Sequence, residues 1–255
     1  MEEKTTNYTI AESYELPSKG LIYDTKIDPH VELRSMTTRE EMRRLAPSNT
    51  PLKVLSEIIE TCMITKPKVH VYDMCIGDYE YLLQKLRVVT HGPEYKIQIA
   101  CPNCGSVHTE TINLDDLKTI AYNDDEVRAL MDLTLPKSGN HITLKYQTPR
   151  IVDDIGLKIE QFNKKNKDST INPNILFTLQ SLIDTVDGQK LSYSGLEDFI
   201  NKLPFADTNY ILAKIEEVNK RIGLDNIIEL VCGRCGGDVL TFFRYGPEFF
   251  RPTLD

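Results

Sequence analysis

Tryptophan is missing from all 255 residues, histidine occurs only five times, and no apolar run approaches the ~20 residues a membrane-spanning helix requires. Neither a sustained repeat nor a low-complexity tract is present, which sets aside solenoids, coiled coils and disordered chains. Positive charge is in short supply: 30 Lys and Arg face 38 Asp and Glu, giving a net charge of −8 and an isoelectric point near 5.3. That balance opposes capture of a phosphate backbone, so a nucleic-acid partner is not expected. The chain starts without a charged-then-apolar leader and carries no lipidation signature, which points to cytoplasmic synthesis and to no membrane partner. Lys19, in Pro17-Ser18-Lys19-Gly20, lacks the leading glycine spacing of a phosphate loop. What remains is a chain with 40% hydrophobic residues, enough for a substantial core.

Four of the six cysteines stand in two short knuckles, Cys101-Pro102-Asn103-Cys104-Gly105 and Cys232-Gly233-Arg234-Cys235-Gly236. A Cys-x-x-Cys turn aims two thiolates at one point, and two such turns complete a tetrahedron at metal–sulfur distances of ~2.3 Å. Gly105 and Gly236 follow the second cysteine of each pair, where freedom at positive φ lets the turn close. The expected cofactor is therefore one structural zinc ion on Cys101, Cys104, Cys232 and Cys235. Residues 105–231 separate the pairs, whereas a compact ribbon has ~15–20 residues between them, so the metal would be a long-range clasp. A disulfide framework suits a small secreted domain, and a thioredoxin-like motif needs its pair at a helix start; here each pair lies between strand-like runs. Cys62 and Cys75 lie in apolar surroundings and read as small buried hydrophobes. His108 could touch the metal's surroundings without displacing a thiolate.

Periodicity supplies the rest of the organisation. The polar first dozen residues precede an extended segment at Tyr14–Tyr23 with a Pro/Gly turn, and a strand at Val31–Arg34 follows. Thr37 and Thr38, each three residues before a glutamate, open a short helix, and Thr50-Pro51 opens a second. A third is predicted over Asp78–Val89, with Tyr79, Leu82, Leu83, Leu86 and Val89 inward and Glu80, Lys85 and Arg87 exposed. Alternation on both sides of each cysteine pair predicts two hairpins with the thiols at their tips. Between them the pattern predicts a strand at His141–Tyr146 and helices at Ile151–Phe162, Asn174–Val186, Leu196–Leu203 behind Ser194, and Thr208–Ile222. The polar run Asn163–Asp168 reads as a loop. The acidic pairs Asp115/Asp116, Asp124/Asp125 and Asp153/Asp154 read as helix caps. The fold class is α+β, with an N-terminal strand/helix lobe (1–94), a split zinc ribbon of two knuckle hairpins (95–114 with 227–255), and a mostly helical insertion (115–226).

Several of these pieces stand in a familiar order. They are the Leu16-Pro17-Ser18-Lys19-Gly20 turn with Tyr23, then Met36-Thr37-Thr38-Arg39-Glu40-Glu41, then Asp78-Tyr79-Glu80-Tyr81-Leu82-Leu83 leading through Arg87 to Gly92, Tyr95 and the first knuckle. Over about Tyr14 to Asn113 the chain resembles the baseplate hub proteins of T4-like contractile-tailed bacteriophages. The resemblance implies a hub subunit, or a chaperone of hub assembly, that binds other tail proteins. It implies work in the host cytoplasm during virion assembly or in the tail baseplate, and no catalytic residues. An enzyme is not expected on the residues' own terms either, because four cysteine ligands leave a metal no open position. Phe242, Phe243, Tyr245, Phe249 and Phe250, broken by Gly246-Pro247, form an aromatic cluster that either anchors a partner or covers the metal hairpins. The alternative reading is a nucleic-acid-associated zinc-ribbon protein of transcription or replication machinery, supported by Asn163–Lys167 and Arg234 and opposed by the charge balance.

Overall fold

The computed structural model describes residues 11–167, 169–243, 245, 249 and 250. Residues 1–10, Asp168 and the Gly246-Pro247 break lie outside the described residues. Ala11–Glu15 (β1) pairs antiparallel with His30–Arg34 (β2), and the turn between them begins at Leu16, whose carbonyl accepts from the Lys19 amide at 2.9 Å. Thr38–Arg44 (α1) starts as its capping pattern predicts: the Glu40 carboxylate accepts the Thr37 amide at 2.7 Å, and Arg34 holds the same carboxylate at 2.9 Å. Pro51–Cys62 (α2) begins at a proline, as a first helical position permits. Its open first-turn amides, Leu52 and Lys53, donate to Asp153 at 3.4 and 2.9 Å. Asp153 therefore caps a helix about a hundred residues away rather than its own. The other two acidic pairs are likewise not the caps. Asn113 and Asn123 accept from Asp115 and Glu126, at 2.9 and 3.3 Å.

Ile76–His91 (α3) is the central element, and it departs from expectation. Arg87 is fully buried, and Glu80 and Lys85 are half-buried, so the face predicted to meet solvent is covered. The cause is tertiary. The helix packs against α2, β1 and β2, and residues from the far end of the chain (Val218, Ile222, Phe243, Phe249, Phe250) join the same core. A helix covered over most of its surface carries no continuous solvent stripe.

Two hairpins follow the cysteine pattern: Glu94–Ala100 (β3) with Val107–Asn113 (β4), and Ile227–Val231 (β8) with Asp238–Phe242 (β9). Between them stand helices Asp124–Leu130 (α4), Pro149–Lys165 (α5), Asn174–Leu182 (α6), Tyr193–Lys202 (α7) and Phe205–Asn219 (α8). The same stretch holds a three-stranded antiparallel sheet of Asp132–Thr134 (β5), His141–Leu144 (β6) and Ile183–Val186 (β7). β7 replaces the last turn of a predicted helix, because Ile183, Thr185 and Val186 are β-branched and the segment pairs with β6. α5 runs on through Asn163–Lys165, which were expected in a loop, and α7 is capped by Ser192, which accepts from Gly195 at 3.1 Å, rather than by Ser194.

Apolar packing divides accordingly. One large core surrounds α3, and a second joins the three-stranded sheet to α6, α7 and α8. α8 reaches both, through Ile211 in the second and Val218 in the first. A third, small cluster of Ile99, Cys101, Cys232 and Val239 lies between the two cysteine hairpins. The fold is thus a mixed α/β arrangement of small antiparallel sheets and helices with four cysteines gathered at one place.

Candidate metal centre and a buried polar network

The two hairpin tips, 101–106 and 232–237, are built alike. The Cys101 amide donates to Ser106 at 2.9 Å and Gly105 donates back to Cys101 at 2.9 Å; Cys232 and Gly237, then Gly236 and Cys232, repeat this at 2.9 and 2.8 Å. Gly105 and Gly236 take φ of 69° and 71°, and a Cβ on either would meet nothing. Backbone conformation, rather than crowding, is what calls for glycine there.

The four sulfur atoms of Cys101, Cys104, Cys232 and Cys235 lie within 4.8 Å of one another. Cys101 and Cys235 are 3.7 Å apart, and Cys104 and Cys232 are 4.0 Å apart. A tetrahedron with metal–sulfur bonds of ~2.3 Å has edges of ~3.8 Å, so the donor set and its spacing fit one thiolate-bound ion. Cys101 and Cys232 are buried while Cys104 and Cys235 are exposed. Donation from the Ser106 hydroxyl and amide draws the Cys104 thiol down to about 6. The Gly237 amide favours the Cys235 thiolate, yet the crowding of Cys232, Cys101 and Cys104 pushes its thiol up to about 12. Sulfurs this close cannot all ionise unless a cation sits among them.

A second layer ties the tips together. Asn103 donates through Nδ2 to the Asp238 carbonyl at 2.9 Å. Glu110 accepts the Gly233 amide at 3.0 Å and pairs with His108 Nε2 at 2.9 Å. His108 Nε2 lies 3.6 Å from the Cys232 sulfur, beside the cluster and outside the set of four.

The expected aromatic cluster divides. Phe243, Phe249 and Phe250 are buried and Tyr245 is half-buried, with Tyr245 and Phe249 ring centres 5.2 Å apart and Tyr95 of β3 5.5 Å from Phe249. Phe242 alone points outward, 61% exposed. It lies opposite Ile227 on the outer face of β8–β9, where Val231 and Leu240 are exposed too.

Sequence reasoning passed over a set of buried polar contacts on α3. Asp78, fully buried, accepts the Ser18 amide at 2.9 Å, the Ser18 hydroxyl at 2.5 Å and the Tyr23 hydroxyl at 2.6 Å. Arg87 donates to the carbonyls of Phe249 at 3.2 Å, Glu94 at 3.1 Å and Gly92, and its guanidinium stands 5.6 Å from the Tyr95 ring centre. The Met36 amide donates to Thr90 on α3 at 3.1 Å. Short segments scattered over the N-terminal hundred residues therefore meet on one helix. The available signal was their ordered recurrence, together with polar residues at Asp78 and Arg87 inside an otherwise apolar helix.

The molecule is thus a mixed α/β scaffold with a four-thiol cluster and a polar network inside its core. The chain belongs to the family described as T4 bacteriophage base plate protein, which matches it over residues 8–251. No curated protein and no solved structure matches it. Among the described residues no helix is long and apolar enough to cross a membrane.

Proposed function

We propose that this chain is a nonenzymatic component or assembly chaperone of the phage baseplate hub, working in the host cytoplasm during assembly or in the virion tail. The family match over nearly the whole chain carries the baseplate part of this reading. The hub part is supported by the ordered segments that converge on α3. One structural zinc ion is held by Cys101, Cys104, Cys232 and Cys235, as the 3.7 and 4.0 Å sulfur spacings favour. Four thiolates fill the ion's coordination shell, so it fixes the hairpin tips and offers no open position for water. Residues 95–114 with 227–255 then form a split zinc ribbon, set between an N-terminal lobe (1–94) and an insertion (115–226). Partner binding falls to the outer face of β8–β9, where Phe242 and Leu240 are exposed, while Phe243, Tyr245, Phe249 and Phe250 support that hairpin from within.

Co-purification from infected cells, with the bound proteins identified by mass spectrometry, tests the assignment: hub proteins are expected, and polymerase subunits would overturn it. Mass spectrometry of purified virions separates a subunit, which is retained, from a chaperone, which leaves. Elemental analysis of protein purified from zinc-supplemented cells should give one zinc per chain, lost in both Cys101→Ser and Cys235→Ser. Two ions per chain, or none, would refute the shared site.

A further inference from the structure

On the opposite flank of α3 from the Asp78 network, between α2, the start of α5 and the C-terminal aromatic rings, lies a cavity of about 670 Å³. Leu52, Leu55, Leu83 and Phe250 give it an apolar wall, and Glu80, Tyr79 and Tyr245 also line it. Among the described residues the Tyr79 and Tyr245 hydroxyls are buried without any hydrogen-bond partner. Glu80 has no ion pair there, and burial pushes its carboxyl up to about 7. The neighbouring cation at the cavity, Arg44, is already committed: it grips Glu41 through two bonds of 2.8 and 2.7 Å and lies over the Phe250 ring at 5.5 Å. A half-buried carboxyl without an ion pair, in a cavity lined by two buried hydroxyls that have no partner, is costly, and such a group is retained where something else completes it.

We infer that this cavity receives a basic side chain, lysine or arginine, from a partner protein, with Glu80 as its counter-ion and the surrounding rings and aliphatic groups covering its stem. The argument is one of charge complementarity. The ligand must bring hydrogen-bond donors and positive charge to Glu80, and it must be apolar along its length to match the wall. Aromatic faces next to a carboxylate favour a cation over a neutral group. The space exceeds one lysine side chain and lies in the range of small-ligand pockets, so an adjacent apolar residue of the partner fits beside it. The inference rests on the baseplate reading only for the partner being a tail protein; the chemistry of the pocket stands apart from it.

The full chain is titrated with hexylammonium and with hexylguanidinium, mimics of the two side chains, and with hexanol and hexanoate as controls, followed by amide chemical shifts. Expected are saturable shifts at residues lining the cavity for the two cations, and a loss of affinity of about tenfold or more in Glu80→Gln. The variant should fold at least as stably as the wild type, since it removes an uncompensated charge. Equal binding of hexanol or hexanoate, unchanged cation binding in Glu80→Gln, or unfolding of that variant would each overturn the inference. Capture of tail proteins from infected cells is read in parallel for both proteins. Equal capture by wild type and Glu80→Gln would sink the docking role while leaving the baseplate assignment standing. Failure of both proteins to capture tail proteins would count against that assignment, with the titration still deciding the pocket.

Discussion

Replacing Arg87 by methionine should cost the protein about 3 kcal/mol and loosen the C-terminal aromatic run before anything else. Methionine keeps most of the side chain's bulk but leaves the carbonyls of Phe249, Gly92 and Glu94 without their donor. Stranding a buried carbonyl costs ~1–3 kcal/mol; only the Phe249 bond is buried, the Gly92 and Glu94 bonds being partly so, and about 9 kcal/mol is therefore a ceiling for the three. Against this stands relief from holding a guanidinium out of water, several kcal/mol in magnitude, and some of the carbonyls will find water. The balance of about 3 kcal/mol corresponds to a fall in Tm of ~6–12 °C for a chain of this size. Urea unfolding supplies the free energy. Limited proteolysis supplies the location, because the Arg87–Phe249 bond spans 162 residues and the segment around Phe249 should be cleaved first. Arg87→Lys should fall between, since one ammonium cannot reach three carbonyls in fixed directions. If Arg87→Met unfolded within 0.5 kcal/mol of wild type, on the order of a neutral surface change, and kept Phe249 protected, the guanidinium would be a passenger and the reasoning wrong.

Three further outcomes are expected. Asp78→Ala strands the Ser18 amide and hydroxyl and the Tyr23 hydroxyl, so urea unfolding should show a loss of about 3–5 kcal/mol, with Tyr23→Phe losing only about 1 kcal/mol. Gly77→Ala would drive a methyl into the Ile222 carbonyl and to 3.0 Å from the Gly223 amide, both backbone. It should cost about 1–3 kcal/mol by thermal unfolding, and an unchanged Tm would show that α3 can move away from the turn that follows α8. Burial would raise the Glu40 carboxyl, but Arg34 and Thr37 outweigh it and hold it at about 2, against 4.5 for the ordinary group. Its folded pKa lies below its unfolded one, so its contribution, at most about 3 kcal/mol, is complete above pH 4.5 and fades as pH falls toward 2. The stability gap between wild type and Glu40→Gln should narrow across that window, and a constant gap would contradict the assignment.

How much of this was legible depended on the range of the interaction. The knuckles, their glycines and the Thr37–Glu40 cap are local, and the chain displays them openly. That the two pairs meet required only counting ligands, since each supplies half a tetrahedron. The burial of Arg87, Glu80 and Lys85 was hidden because periodicity describes one helix face against an unspecified core. It does not register rings that arrive from beyond position 240 to cover the other face. Asp153 misled for a similar reason: its carboxylate lies near one helix start in sequence and caps another in space. β7 was lost in a helical pattern because four residues are too few to establish a period of two against one of 3.6.

The spacing of the thiols has a consequence for how the protein is made. Cys104 leaves the ribosome 128 positions ahead of Cys232, a delay of roughly 6–25 s at ordinary elongation rates of about 5–20 residues per second. Throughout that interval the first knuckle is an open pair of sulfurs, vulnerable to oxidants and to stray ions that would accept two ligands. A chain released before Cys235 can never close the tetrad, so an intact cluster reports that translation has passed through both knuckles.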